Sequence, residues 1–141
     1  GGGSMGAANA WARFLVGVVL TFAFSQAGLH KLTDAVMPDV HSDLTQMIDK
    51  FAGSTWAWLP YGGEELRLAI GCVEINAAVL IHVPILRWVA ITALATIMGC
   101  AIFTHVQHND GKWPMPVALM ALLYVYAALH ASKRRTKRKD T

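Results

Sequence analysis

The feature that most constrains this chain is where its charges are missing. Between Arg13 and Lys31 run seventeen residues without Asp, Glu, Lys or Arg, apolar all round rather than along one stripe. Leu68 to Leu86 is a second such stretch, interrupted only by Glu74; Trp88 to Asn109 is a third and Trp113 to Ser132 a fourth. Each approaches the roughly twenty residues that an α-helix needs to cross a hydrocarbon core about 30 Å thick. The expectation is an all-α membrane protein with four transmembrane helices, at about residues 11–31, 66–86, 88–108 and 114–132. Only 15% of the residues are charged, against roughly a quarter in an ordinary soluble domain.

The remaining charges are sorted by position. The net charge is +3, but residues 133–140 (KRRTKRKD) carry +5, so the rest of the chain is at −2. With no basic face outside that tail, a nucleic-acid-binding domain is excluded and no nucleic acid is expected as a partner. Lys and Arg near span ends mark the cytosolic side. The basic tail, 133–141, therefore places the C-terminus in the cytosol, and four crossings return the N-terminus, with Arg13, to the same side. Arg87, in the turn between the second and third spans, agrees. The opposite, lumenal side receives the 33–65 connection, with Asp34, Asp39, Asp43, Asp49, Glu64 and Glu65 against Lys50. Residues 1–4, GGGS, read as a linker scar before Met5, leaving 5–132 as a single membrane domain.

Within the connection, Val40, Leu44, Met47, Ile48 and Phe51 recur at helical spacing, with Asp43, Gln46 and Asp49 on the other face. This predicts a short amphipathic lumenal helix between the first and second spans, either a lid or docking element or simply a closure of the bundle. Trp56, Trp58 and Tyr61 beside Pro60 fit an interfacial aromatic belt.

Glu74 is the most informative residue. A carboxylate inside a span costs about 2.5–3.5 kcal/mol on insertion scales, so it needs a partner or water. Arg67, Gly71 and Glu74 share one helix face. The first span brings Gln26, His30 and Lys31 to the same depth, and the third brings Thr104, His105 and His108. Lys31, Glu74 and the 104–108 segment are expected to converge on one polar site at the lumenal mouth. That site reads as a structural ion pair in which Lys31 or Arg67 neutralises Glu74. The alternatives to it are a small-molecule or quinone head-group pocket or a proton-handling carboxylate, and a recognition surface for a partner's helix.

His105 and His108, with His30, form only a weak metal or haem pattern, since no carboxylate or thiolate stands at ligand spacing, and no metal or cofactor is expected. His82 and His130 read as interfacial side chains. Cys72 and Cys100, outside any C-x-x-C motif, read as small packing residues. The spans lack a filter-like loop, which argues against a channel, and no nucleophile stands beside a base, which argues against a hydrolase.

Three motifs carry a resemblance: G-x-x-K-L at Gly28-Leu29-His30-Lys31-Leu32, G-x-x-E at Gly71-Cys72-Val73-Glu74, and G-x-A-I-F-T-H at Gly99 to His105. With the span layout, the chain resembles the DoxX-like family of four-helix membrane proteins, over most of residues 10–132. The resemblance implies an up-down four-helix bundle and points again to Lys31, Glu74 and His105. His41, Met47 and Phe51 resemble the eukaryotic branch, that of the acetylcholine receptor chaperone. Lys137 and Lys139 resemble a dilysine retrieval signal, or alternatively an ordinary stop-transfer feature. On that resemblance the expected role is a non-enzymatic endoplasmic-reticulum assembly factor. Its partners would be membrane-protein subunits, such as those of pentameric receptors, and lipids, with a homo-oligomer left open. The alternative is an accessory subunit of a membrane quinone or thiol oxidoreductase complex with a quinone or lipid near Glu74.

Overall fold

A computed structural model describes residues 2–139, with side chains described for 3–132. The basic tail side chains, including Lys137 and Lys139, lie outside those described side chains. The described residues form five helices: α1 (Gly2–Leu32), α2 (Pro38–Ala52), α3 (Gly63–Leu80), α4 (Arg87–His108) and α5 (Pro114–Lys139).

Local chemistry sets the boundaries. The step from α1 to α2 ends at Met37-Pro38, where the residue before proline is held out of the helical region and Pro38 opens α2 without losing a needed N–H. Asp39 in the first turn of α2 and Glu64 and Glu65 in the first turn of α3 complement the positive helix N-termini. α4 ends at Asn109, which adopts a left-handed conformation (φ 48°) and turns the chain towards α5.

Three of the helices, Gly3–Leu32, Arg87–His108 and Pro114–Ser132, are long and apolar enough to cross a membrane. α3 is not among them, because Glu64, Glu65, Arg67 and Glu74 all fall within its eighteen residues. The helix expected over 66–86 also stops at Leu80. Residues 81–86 form turns around Pro84, whose ring disfavours a helical conformation in Val83.

α1, α3, α4 and α5 pack neighbour against neighbour into a closed ring, and α2 leans on α1 and α3 at one end. The well-packed core lies towards the opposite end, where Leu20, Phe24, Ala78, Ile81, Leu94, Leu123 and Tyr126 are almost fully buried. Large apolar side chains such as Trp11, Phe22 and Tyr124 instead point outwards, 64%, 67% and 77% exposed. That inversion suits helices solvated by lipid, where backbone groups are satisfied within each helix.

α1 and α3 make the closest contact, and glycine permits it. A Cβ on Gly28 would lie 2.7 Å from the Gly71 carbonyl oxygen, and one on Gly71 would lie 3.0 Å from that of Gly28. Small residues at a crossing let two backbones touch, as membrane helices require in the absence of a hydrophobic drive between them. The approach places Lys31 and Glu74, each one turn from its glycine, side by side. Near the other end of the same seam, the Thr21 hydroxyl donates to the carbonyls of Gly17 and Ala78 and meets His82 Nε2 at 2.7 Å.

Candidate functional site

Lys31 Nζ lies 2.8 Å from Glu74 Oε2 and donates also to the Ala27 carbonyl at 3.2 Å. Glu74 is 1% exposed and its partner side chain 12%. Arg67 does not reach this pair: its guanidinium donates to the Lys31 carbonyl in the last turn of α1. There it satisfies an acceptor that the helix leaves open and sits at the negative end of the dipole. The neutralising partner of Glu74 is Lys31, and Arg67 acts one step away on the backbone.

Lys31 also lines a cavity of about 550 Å³ at the α2 end of the bundle. α2 roofs it with Val40, Leu44, Met47 and Phe51, while Ile70 of α3 and Leu119 of α5 contribute apolar wall. The amphipathic stripe read from the sequence therefore faces an opening between the helices and not only their packed surface. Glu74 does not line the cavity; it stands behind Lys31.

α4 contributes Thr104 and His105, 2% and 7% exposed. Thr104 donates to the Cys100 carbonyl at 2.7 Å and accepts the Trp56 indole N–H at 3.0 Å, which ties the chain after α2 to α4. His105 Nδ1 lies 2.7 Å from Asp110 Oδ2, and its ring stands edge-on to Phe51 at 5.4 Å. Asp110 Oδ1 accepts the Lys112 backbone N–H at 2.9 Å. Some loss of water works against ionisation of Asp110. The hydrogen bonds from His105 and the Lys112 amide, with the positive charge of Lys112, outweigh it and hold the carboxyl below its ordinary range. An ionised Asp110 can only accept, so Nδ1 carries the hydrogen between them.

The remaining sequence candidates have other roles. His108 Nε2 meets the Ser54 and Thr55 hydroxyls at 3.1 and 3.0 Å, fastening the chain between α2 and α3 to the end of α4. The His30 carbonyl pairs with His41 Nδ1 at 2.7 Å, which docks α2, while His30 Nε2 is buried without a hydrogen-bond partner. Gln26 is half-buried and does not line the cavity. His30 and Gln26 thus do not join Lys31 and His105 there. Cys72 and Cys100, expected as packing residues, are both exposed, and Cys100 lines the cavity.

Sequence reasoning missed Asp110, the carboxylate beside His105. The reversal at Asn109, followed by Gly111 at φ 72°, folds it back onto the helix; the N-D-G triplet at 109–111 was the available signal. Among the described residues, no group of three or more His, Cys, Asp or Glu side chains could hold a metal ion.

No curated protein matches the chain. Residues 15–126, well over half of the sequence, match the DoxX-like family, and the chain belongs to that family of membrane proteins.

Proposed function

We propose that this protein is an integral-membrane binding subunit for an amphiphilic small molecule of the quinone class, whose head group sits between Lys31 and His105. In this reading α3 is the fourth crossing. Its two internal charges support that role, since Glu74 is neutralised by Lys31 and Arg67 is bound to the end of α1. The acidic residues around α2 set against the basic tail support a lumenal α2 and cytosolic termini.

The observation that carries the proposal is the cavity itself. Its size of about 550 Å³ falls within the usual range for small-molecule sites, which are apolar with a few convergent polar groups. Its polar groups include the Lys31 ammonium and the His105 imidazole, both suited to ring oxygens, beside Asp43, Thr96, Thr104 and Lys112, and the apolar wall suits the ring. Such a subunit would present its ligand to a membrane oxidoreductase.

The receptor-assembly role rests on the resemblance. It would have Lys31 or Glu74 cap an unpaired polar group of a client helix, yet the two are bonded to each other and Glu74 is 1% exposed. The pocket reading uses them as they stand.

Cysteine labelling tests it. Both thiols are exposed, but only Cys100 lines the cavity, so Cys72 is an internal control. A short-tailed benzoquinone substituted at every ring carbon, which does not add thiols, is expected to slow maleimide labelling of Cys100 severalfold and leave Cys72 unchanged. Equal labelling of both thiols at saturating quinone would sink the reading.

A further inference from the structure

We propose that the His105–Asp110 pair exchanges protons between the cavity and the water outside, so that its ligand is held through an oxygen that gains or loses a proton at His105 Nε2. This rests on the reading of the cavity as a quinone-class site.

Three observations carry it. His105 is 7% exposed and lines the cavity, and of its two ring nitrogens Asp110 occupies only Nδ1. Among the described residues the ring makes no hydrogen bond other than that to Asp110. Asp110 itself is 23% exposed and lies in the turn beyond α4, in reach of water. A buried imidazole in the chamber wall, with Nδ1 on a partly wet carboxylate and Nε2 unoccupied, can connect the two compartments. A histidine kept only for packing would not need the carboxylate, and a surface ion pair would not need the buried ring.

The step is a proton transfer with no electron movement. A hydroquinone O–H bond breaks, its proton goes to Nε2, and the electron pair stays on the oxygen. The resulting imidazolium is neutralised by Asp110, and the phenolate faces the Lys31 ammonium. Loss of the Nδ1 proton to water at Asp110, followed by tautomerisation of the ring, restores the neutral imidazole. In the reverse direction the same path delivers a proton to a reduced ring oxygen. Asp110 is a positioning residue; His105 is the group that touches the ligand.

The charge state of His105 then decides which form binds. Neutral His105 accepts from a hydroquinone O–H but has nothing to donate to a quinone carbonyl. Protonated His105 donates to the carbonyl and cannot accept. Hydroquinone affinity should therefore rise with pH, and quinone affinity should fall. The other charged groups around the ring are Lys31 of α1, with Glu74 of α3 behind it, Asp43 of α2 and Lys112 of the turn, which line the cavity or back it, and His108 of α4, which shares Phe51.

The test measures binding of the same fully substituted benzoquinone and its hydroquinone, anaerobically, to the full chain in detergent. Binding is read by Cys100 protection between about pH 5.5 and 8. The expected result is opposite slopes, each amounting to about tenfold or less over the range. His105→Gln should abolish both slopes. Asp110→Asn, at a less buried site, should move the crossing to lower pH, because the imidazolium loses its counter-charge. Parallel or flat profiles with intact Cys100 protection would overturn the proton-exchange inference and leave the cavity reading standing. So would opposite slopes that survive His105→Gln. Absence of Cys100 protection by either form at every pH would instead overturn the cavity reading itself.

Discussion

The Lys31 ammonium and the Glu74 carboxylate meet at 2.8 Å in the seam between α1 and α3, with the carboxylate 1% exposed. A pair held this far from water is expensive to break on one side only. Lys31→Met or Glu74→Ala alone should destabilise the protein by about 3–5 kcal/mol, because the remaining charge is buried without a partner. The double variant Lys31→Met/Glu74→Gln should recover most of that loss. Thermal unfolding in detergent checks it, and a double variant as unstable as the worse single one would disprove the pairing account.

The contact between Gly28 and Gly71 is backbone against backbone. Gly28→Ala and Gly71→Ala should each cost at least about 1–3 kcal/mol, the usual penalty for overpacking, since a carbonyl oxygen cannot step aside as a side chain can. Gly99 is the control: a Cβ there would meet only Met120 Cε, at 3.7 Å, and Gly99→Ala should be neutral or stabilising. The same unfolding measurement ranks the three.

Trp56 fastens the α2–α3 connection to α4 through its indole N–H. Trp56→Phe removes the bond to Thr104 but leaves Thr104 bonded to the Cys100 carbonyl, so a loss of about 1 kcal/mol is expected. Because the fastening is local, hydrogen exchange should increase in α2 and residues 53–62 and change little in the core around Leu94 and Tyr126. Uniform loss of protection would contradict that.

Asp110 has a folded-state pKa below the ordinary carboxylate value. Its contribution to stability is therefore present at neutral pH, above the unfolded pKa of about 3.9, and fades as the pH falls through the lower folded pKa. Wild type should be more stable than Asp110→Asn near neutrality, and the difference should shrink only in acid below about pH 4. A difference that grows as the pH is lowered below about 4 would have the wrong sign.

Most of the helical layout was legible because a helix in lipid satisfies its own backbone, so a long uncharged run is nearly sufficient evidence for it. That holds for α1, α4 and α5. α3 was harder: its charges are compensated only by neighbours, and its end at Leu80 was misplaced although Pro84 stood in the sequence as a stop signal. The demand that Glu74 have a partner was likewise readable from one residue, because a lone carboxylate at that depth is too costly.

Which cation answers that demand depended on three-dimensional placement. Lys31 and Arg67 were both available by spacing, and the glycine crossing of α1 on α3 is what puts Lys31 against the carboxylate and Arg67 against a backbone carbonyl. The exposure of Cys72 and Cys100 depended on how each helix is rotated, which periodicity within an apolar run does not encode. The His105–Asp110 pair and the chamber beside it depended on a left-handed turn at Asn109 and on α4 and α5, distant in the chain, closing the space under α2. The sequence by itself determined which segments lipid would accept and which charge would need a partner, since both follow from local solvation. Only the tertiary structure decided the pairings and the cavity, because these depend on the relative rotation and depth of helices whose apolar surfaces are interchangeable to the lipid.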